Sequence, residues 1–277
     1  MKSILRSRAG MTLVEVLMAV AIGSVIGLVI MKIFQSNSQL FSGEKKVTGM
    51  VTTGRNAMGT LSRLVREAGY NPTEAASGTF GLKDSTGNFA TTSPAAITSA
   101  KSIFFTMDDN ADGSLANNGN ERVGFRFTGA DCDPSAANAS GCIEMAQIDA
   151  AGAISGWTSK IPDIQDLVFV YHYRTGSAGA YVFTDSVCGT VAVPATAAPT
   201  YVATAAPTAT AIAFTCGGVA VANPPVGLLP DSSVTGRKYS DVVGVTIHVL
   251  AKTRAKHDLT KQNTAQLFTS SVVLRSR

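Results

Sequence analysis

Two sets of side chains in this 277-residue chain could do chemistry. Asp108-Asp109-Asn110-Ala111-Asp112-Gly113 places oxygen donors at alternate positions before a turn-forming glycine. That is the first half of a calcium loop, in which the backbone wraps a hard cation. The second half departs from the pattern, because its twelfth position is Gly119, where a bidentate Glu is expected. The next acid is Glu121, and Asn117 is a further oxygen donor. The candidate Ca²⁺ set is therefore Asp108, Asn110, Asp112 and Glu121. The competing reading is an Asp/Asn/Gly-rich hairpin turn. The second feature is Glu15, the lone charge in Thr12–Met31. A carboxylate in hydrocarbon costs several kcal/mol unless paired, so an acid there marks function.

Other chemistry is hard to assemble. His172, His248 and His257 are scattered, and no Ser, Cys or acid stands in a recognisable motif around them. His172 and His248 fall on expected strands and read as sheet-surface residues. There is no G-x-S-x-G, P-loop or dinucleotide fingerprint in the right context. The chain reads as a non-enzyme.

The elements that must position these residues start at the N-terminus. The chain is 45% hydrophobic and 15% charged, with a net charge of +4. That composition excludes wholesale disorder and a binder that holds nucleic acid by general positive charge. Lys2, Arg6 and Arg8 carry three of the four excess charges, which leaves +1 for the other 267 residues. Behind them, the twenty residues Thr12–Met31 would span about 30 Å as a helix, one hydrocarbon core. Basic residues before this run place the N-terminus in the cytoplasm and the bulk of the chain outside. Ala19, Gly23 and Gly27 fall four apart, the small-residue spacing that lets helix backbones approach in lipid.

Three readings compete for this segment. A cleaved secretory signal could use Ala19-Val20-Ala21, but that site lies mid-run. A plain anchor gives no reason for Glu15. Arg8-Ala9-Gly10-Met11-Thr12-Leu13-Val14-Glu15-Val16-Leu17 closely resembles the class III signal of type IV prepilins. The resemblance implies cleavage between Gly10 and Met11 by a prepilin peptidase, and N-methylation of Met11. Met stands where the family usually has Phe. By the same resemblance, Glu15 pairs with the N-terminal amine of a neighbouring subunit, and Gly23 and Gly27 lie on a packing seam between helices. Arg63-Leu64-Val65-Arg66-Glu67-Ala68-Gly69-Tyr70 resembles the helix end of PilW-class minor pilins and of J-class minor pseudopilins. Implied partners are other major and minor pilins and an inner-membrane assembly platform.

After the apolar run, Val47, Val51, Gly54, Met58, Leu61, Val65 and Ala68 form one stripe at helical spacing. Gly69 to Pro72 supply a cap and a breaker. The expected helix runs from Met11 to about Gly69. Strands are expected at Ser102–Met107, Arg122–Thr128, Cys142–Asp149, Asp166–Arg174, Val242–Thr253 and Ala265–Leu274. A long helix followed by antiparallel strands is an α+β order, the order of the type IV pilin fold. The expected organisation is a leader over 1–10, an assembly half of the helix over 11–34, an amphipathic half over 35–70 and a β-rich head over 71–277.

Cys132, Cys142, Cys188 and Cys216 lie in the exported part, where an even number favours disulfides. Pairing of nearest neighbours, Cys132–Cys142 and Cys188–Cys216, is one of three connectivities. Without a C-x-x-C, zinc is not expected. The second bridge would close an Ala/Thr/Pro-rich insert at about 189–226, which contains Ala195–Thr200 and its repeat Ala203–Thr208. The insert reads as exposed and weakly structured. Together these features describe a PilW-like minor pilin of the inner membrane that later reaches a pilus or the cell surface. The alternatives are a type II secretion or DNA-uptake pseudopilin, and a tethered periplasmic binding protein or enzyme that never assembles.

Overall fold

The computed structural model describes residues 11–73, 81–83, 100–113, 121–129, 141–148, 154–173, 201–216, 219–221, 242–253 and 263–274. Helix α1, Leu13–Glu67, is 55 residues long. At 1.5 Å per residue it extends about 80 Å. Its side chains are exposed from Leu13 through Phe41, and the first buried position is Gly43. From there Met50, Gly54, Ala57, Leu61 and Val65 form a buried stripe, with Val47, Val51 and Met58 half-buried beside it. The helix stops at Gly69, whose φ of 81° is a left-handed conformation that ends helices without a Cβ clash. Ala68 is the C-cap.

That stripe packs on a seven-stranded antiparallel sheet. Its strands are β1 (Gly81–Lys83), β2 (Ser102–Thr106), β3 (Arg122–Thr128), β4 (Gly141–Ile148) and β5 (Ile154–Tyr173), with β9 (Val242–Lys252) and β10 (Ala265–Val273). They lie in the order β1-β2-β3-β4-β5-β9-β10. The fold is α+β, one long helix on an antiparallel sheet. Side chains alternate across the strands. Leu167, Phe169 and Tyr171 of β5 and Val245, Ile247 and Val249 of β9 are therefore on one side and buried in the core. Phe268 of β10 lies against Gly54, where an added methyl would overlap its ring. The approach of helix to sheet depends on that glycine.

The expected strands lie close to the observed ones, but β1 was not expected and two further differences stand out. Strand β5 begins twelve residues before Asp166, at Ile154. Its first half reads poorly as a strand because Trp157, Pro162 and Asp163 interrupt the apolar alternation, and the pairing with β4 is correspondingly irregular. Part of the Ala/Thr/Pro insert is also ordered. Strands β6 (Tyr201–Thr204), β7 (Ala213–Cys216) and β8 (Val219–Val221) form a second antiparallel sheet. Its Ile212 and Phe214 are buried in the main core, which corrects the expectation of an exposed, weakly structured insert for these residues. Two apolar side chains two positions apart suffice to bury one face. Residues 189–200, 217–218 and 222–226 of the insert, and Cys188 just before it, lie outside the described residues.

Segment Ala100–Lys101 splices the sheet. The Phe127 amide of β3 donates to the Lys101 carbonyl (2.9 Å), and the Phe169 amide of β5 donates to the Ala100 carbonyl (2.8 Å). The first bond extends the β2–β3 ladder by one residue, while the second serves the edge of β5 beyond Ile164, where β4 begins at Gly141 and no longer pairs with it.

Candidate functional site

Thr12 is the N-cap of α1 and, with Glu15, forms a reciprocal capping box. The Glu15 amide donates to Thr12 Oγ1 (3.4 Å), while the Thr12 amide (3.0 Å) and hydroxyl (3.1 Å) donate to Glu15 Oε2. Orphan donors at the helix start are thereby satisfied, and the carboxylate gains donors that offset part of its desolvation in lipid. Met11 is exposed, and nothing outside the helix lies within 4 Å of a Cβ built on Gly23 or Gly27. Gly10 lies outside the described residues. The helix presents its apolar surface all round, which suits lipid or neighbouring helices. It is long and apolar enough to cross a membrane.

Residues 5–31 match the family model described as the prokaryotic N-terminal methylation motif. The chain carries a prokaryotic N-terminal methylation motif. No curated protein and no solved structure matches it. The motif takes in Gly10, Met11, Glu15, Gly23 and Gly27. It supports a type IV pilin-like, membrane-anchored subunit.

Far along the chain from the methylation motif, three acids converge beside the other end of α1. One carboxylate oxygen from each of Asp108, Asp112 and Glu121 lies within 4.8 Å of the others. Asp108 and Glu121 are fully buried, whereas Asp112 is exposed. The Asp108 carboxylate accepts the amides of Asp112 (3.1 Å) and Gly113 (3.0 Å). Ala111 (φ 60°) and Gly113 (φ 74°) make the tight turn that aims those amides inward. Asn110, the fourth expected ligand, binds Asp112 instead: its Nδ2 donates to Asp112 Oδ2 (2.8 Å), and its Oδ1 accepts the Asp112 amide (3.0 Å). Backbone bonds tie this loop to the helix end. The Gly69 amide donates to Thr106 O and the Asp108 amide to Tyr70 O, both at 2.9 Å, and the Met107 amide donates to Glu121 O. Calcium–oxygen distances are about 2.3–2.6 Å, so oxygens up to about 4.8 Å apart can share one ion. Asn117 and Gly119 lie outside the described residues.

Sequence reasoning placed His172 and His248 on the sheet surface, and the structure corrects this. Both are buried, and Phe214 of the second sheet covers His248. The Phe214 ring meets His248 edge-on at 5.5 Å. Cys142 is buried and disulfide-bonded. Cys132, its expected partner, lies outside the described residues.

Two further clusters were not singled out from the sequence. Asp166 is fully buried, 2.7 Å from Lys101 Nζ, and accepts the amides of Leu167 and Ile212 (3.0 Å each). An acid at the head of an apolar strand run was the available signal. On the outer side of β3–β5, the Arg126 guanidinium lies 4.1 Å from the centroid of Trp157 and 2.7 Å from Glu144. A partly exposed ion pair of this kind contributes little to stability.

Proposed function

We propose that this chain is a PilW-like minor pilin, a structural subunit that takes part in assembling or initiating a type IV pilus. The observation that carries this reading is the methylation motif at residues 5–31, at the start of a helix exposed from Leu13 through Phe41. In the proposed sequence, basic residues hold the N-terminus in the cytoplasm while the head stands in the periplasm. A prepilin peptidase cuts between Gly10 and Met11 and methylates the new amine. The apolar helix then leaves lipid for a bundle of neighbouring pilin helices, with Glu15 setting register against a neighbour's N-terminal amine. Gly23 and Gly27 allow close backbone approach along that bundle. The role is architectural rather than enzymatic.

The mature N-terminus tests the reading. Intact-mass analysis should give a chain beginning at N-methyl-Met11. A retained Met1, or cleavage after Ala21, would overturn it. The Arg63–Tyr70 helix end also resembles J-class pseudopilins, so a secretion or DNA-uptake role is the second reading. Loss of secretion or DNA uptake on deletion, with pili intact, would favour it.

Calcium binding by Asp108, Asp112 and Glu121 is part of the same proposal. Three carboxylates from the two ends of the loop converge, and two of them are fully buried. A divalent cation there would offset two of their three negative charges and brace the β2–β3 loop, which is hydrogen-bonded to the end of α1.

A further inference from the structure

The seven-stranded sheet ends in two unlike edges. At one, β1 has three residues, a length that offers little to another strand. At the other, β10 runs for nine residues, Ala265–Val273. Open N–H and C=O groups at an edge invite pairing with other chains, and proteins blunt them with short strands, charges, proline or bulges. Strand β10 uses none of these. Its sequence Ala-Gln-Leu-Phe-Thr-Ser-Ser-Val-Val carries no charge and no proline, and its register with β9 runs without a shift.

The ladder fixes which groups are open. The Thr253 amide donates to the Thr264 carbonyl and the Leu274 amide to the Val243 carbonyl. Even-numbered residues of this stretch therefore exchange their backbone bonds with β9. The amides and carbonyls of Leu267, Thr269, Ser271 and Val273 point out of the sheet, along about 20 Å of edge. Thr269 and Ser271 are exposed, and Val273 is 61% exposed. Ala265, of the same phase, shows what such a donor takes: its amide bonds the Pro207 carbonyl, from the segment between β6 and β7. Among the described residues, that is the only backbone bond made outward from β10. We infer that β10 is a strand-addition site, which takes an extended, uncharged segment of a neighbouring pilin-like subunit as a further strand of the sheet.

The open groups specify the class of partner, because an extended backbone repeats donors and acceptors at the same two-residue spacing. Symmetry selects a different subunit over a second copy. Antiparallel pairing of two β10 strands needs a two-fold axis normal to the sheet, which turns the second α1 end for end. Two chains anchored in one membrane by α1 cannot take that pose. Strand β10 also packs against α1, with Phe268 on Gly54, so its edge runs along the flank of the head beside the rod. Subunits whose helices bundle with α1 stand on that rod. The choice of partner rests on the pilin-like reading given above.

Residue-resolved hydrogen exchange on the full chain in detergent micelles is the first test. Leu267, Thr269, Ser271 and Val273 should exchange on the order of a hundredfold faster than Phe268 and Ser270. Equal protection would mean that the chain covers its own edge, and would overturn the proposal. In cells, Val273→Pro removes one outward donor and leaves the bond from Leu274 to Val243 in place, and Val273→Lys adds a charge to the edge. Each should lower the amount of the chain in sheared filaments about fivefold or more, while Val273→Thr keeps the wild-type amount. Cleavage after Gly10 and the head's denaturation midpoint should not change. If Val273→Pro lowers the midpoint, Val273→Lys, which keeps the backbone, decides. A photo-crosslinking residue in place of Val273 should join an extended segment of a second protein that itself carries a methylation motif. Wild-type incorporation of the Lys variant overturns the proposal, as does an adduct with a second copy of this chain or no adduct at all. A retained Met1 would count against the pilin-like reading instead, and the exchange pattern is independent of it.

Discussion

The two halves of α1 share one helical backbone and opposite surface logic. From Leu13 to Phe41 no side chain is buried, although almost every one before Lys32 is apolar. From Gly43 to Val65, burial recurs at helical spacing and ends on the head. An apolar surface without a stripe has no preferred partner within the chain and suits lipid or other helices. A striped surface specifies one docking face and one register. The first half is therefore built for contacts the chain makes with others, and the second for contacts it makes with itself.

That contrast can be broken from either side. Glu15→Ala should reduce incorporation into filaments by about tenfold or more, the effect of losing a pairing worth upwards of 1.4 kcal/mol. Quantitative blotting of sheared filaments measures this, and the head's denaturation midpoint should not move. Leu61→Ala should do the reverse, costing about 2–5 kcal/mol of head stability in urea titrations, because Leu61 is fully buried. An equal loss from Leu28→Ala, in the exposed half, would erase the distinction. Calcium at a hundredfold excess over its Kd should add about 2.7 kcal/mol to the head, read as a rise in Tm that Asp108→Asn abolishes. Gly54→Ala should cost about 1–3 kcal/mol, because the methyl meets Phe268. Gly23→Ala, with open space around it, should leave the head unchanged. The smallest effect is expected from Thr12→Ala, about 1 kcal/mol of helix-start stability, seen as faster exchange in the first turn of α1 alone.

Features with a strong period were legible in the sequence. Val47, Gly54, Leu61 and Val65 repeat at helical spacing, and the helix ends where Gly69 permits it. Strands β3, β9 and β10 lie within about a residue of their expected ends because apolar and polar positions alternate there. The second sheet was not legible. Ala and Thr carry little burial signal, so Ile212 and Phe214 stood alone in a tract that reads as low complexity. His248 was misplaced for the same reason, since Phe214 of that unrecognised cover lies on it. The acidic loop was mostly legible: Asp108, Asp112 and Glu121 were all candidates, and Glu121 arrives because β3 returns beside β2. Asn110 turned out to serve Asp112, a local choice that spacing alone does not reveal.

The fit of Phe268 over Gly54 also has a mechanical meaning. Sliding α1 along its axis by one turn, about 5.4 Å, would bring Met50 or Met58 under the aromatic ring in place of the glycine. Neither side chain leaves room for it. The rod is keyed to the head like a detent, so a pull on the N-terminal half reaches the sheet without slippage.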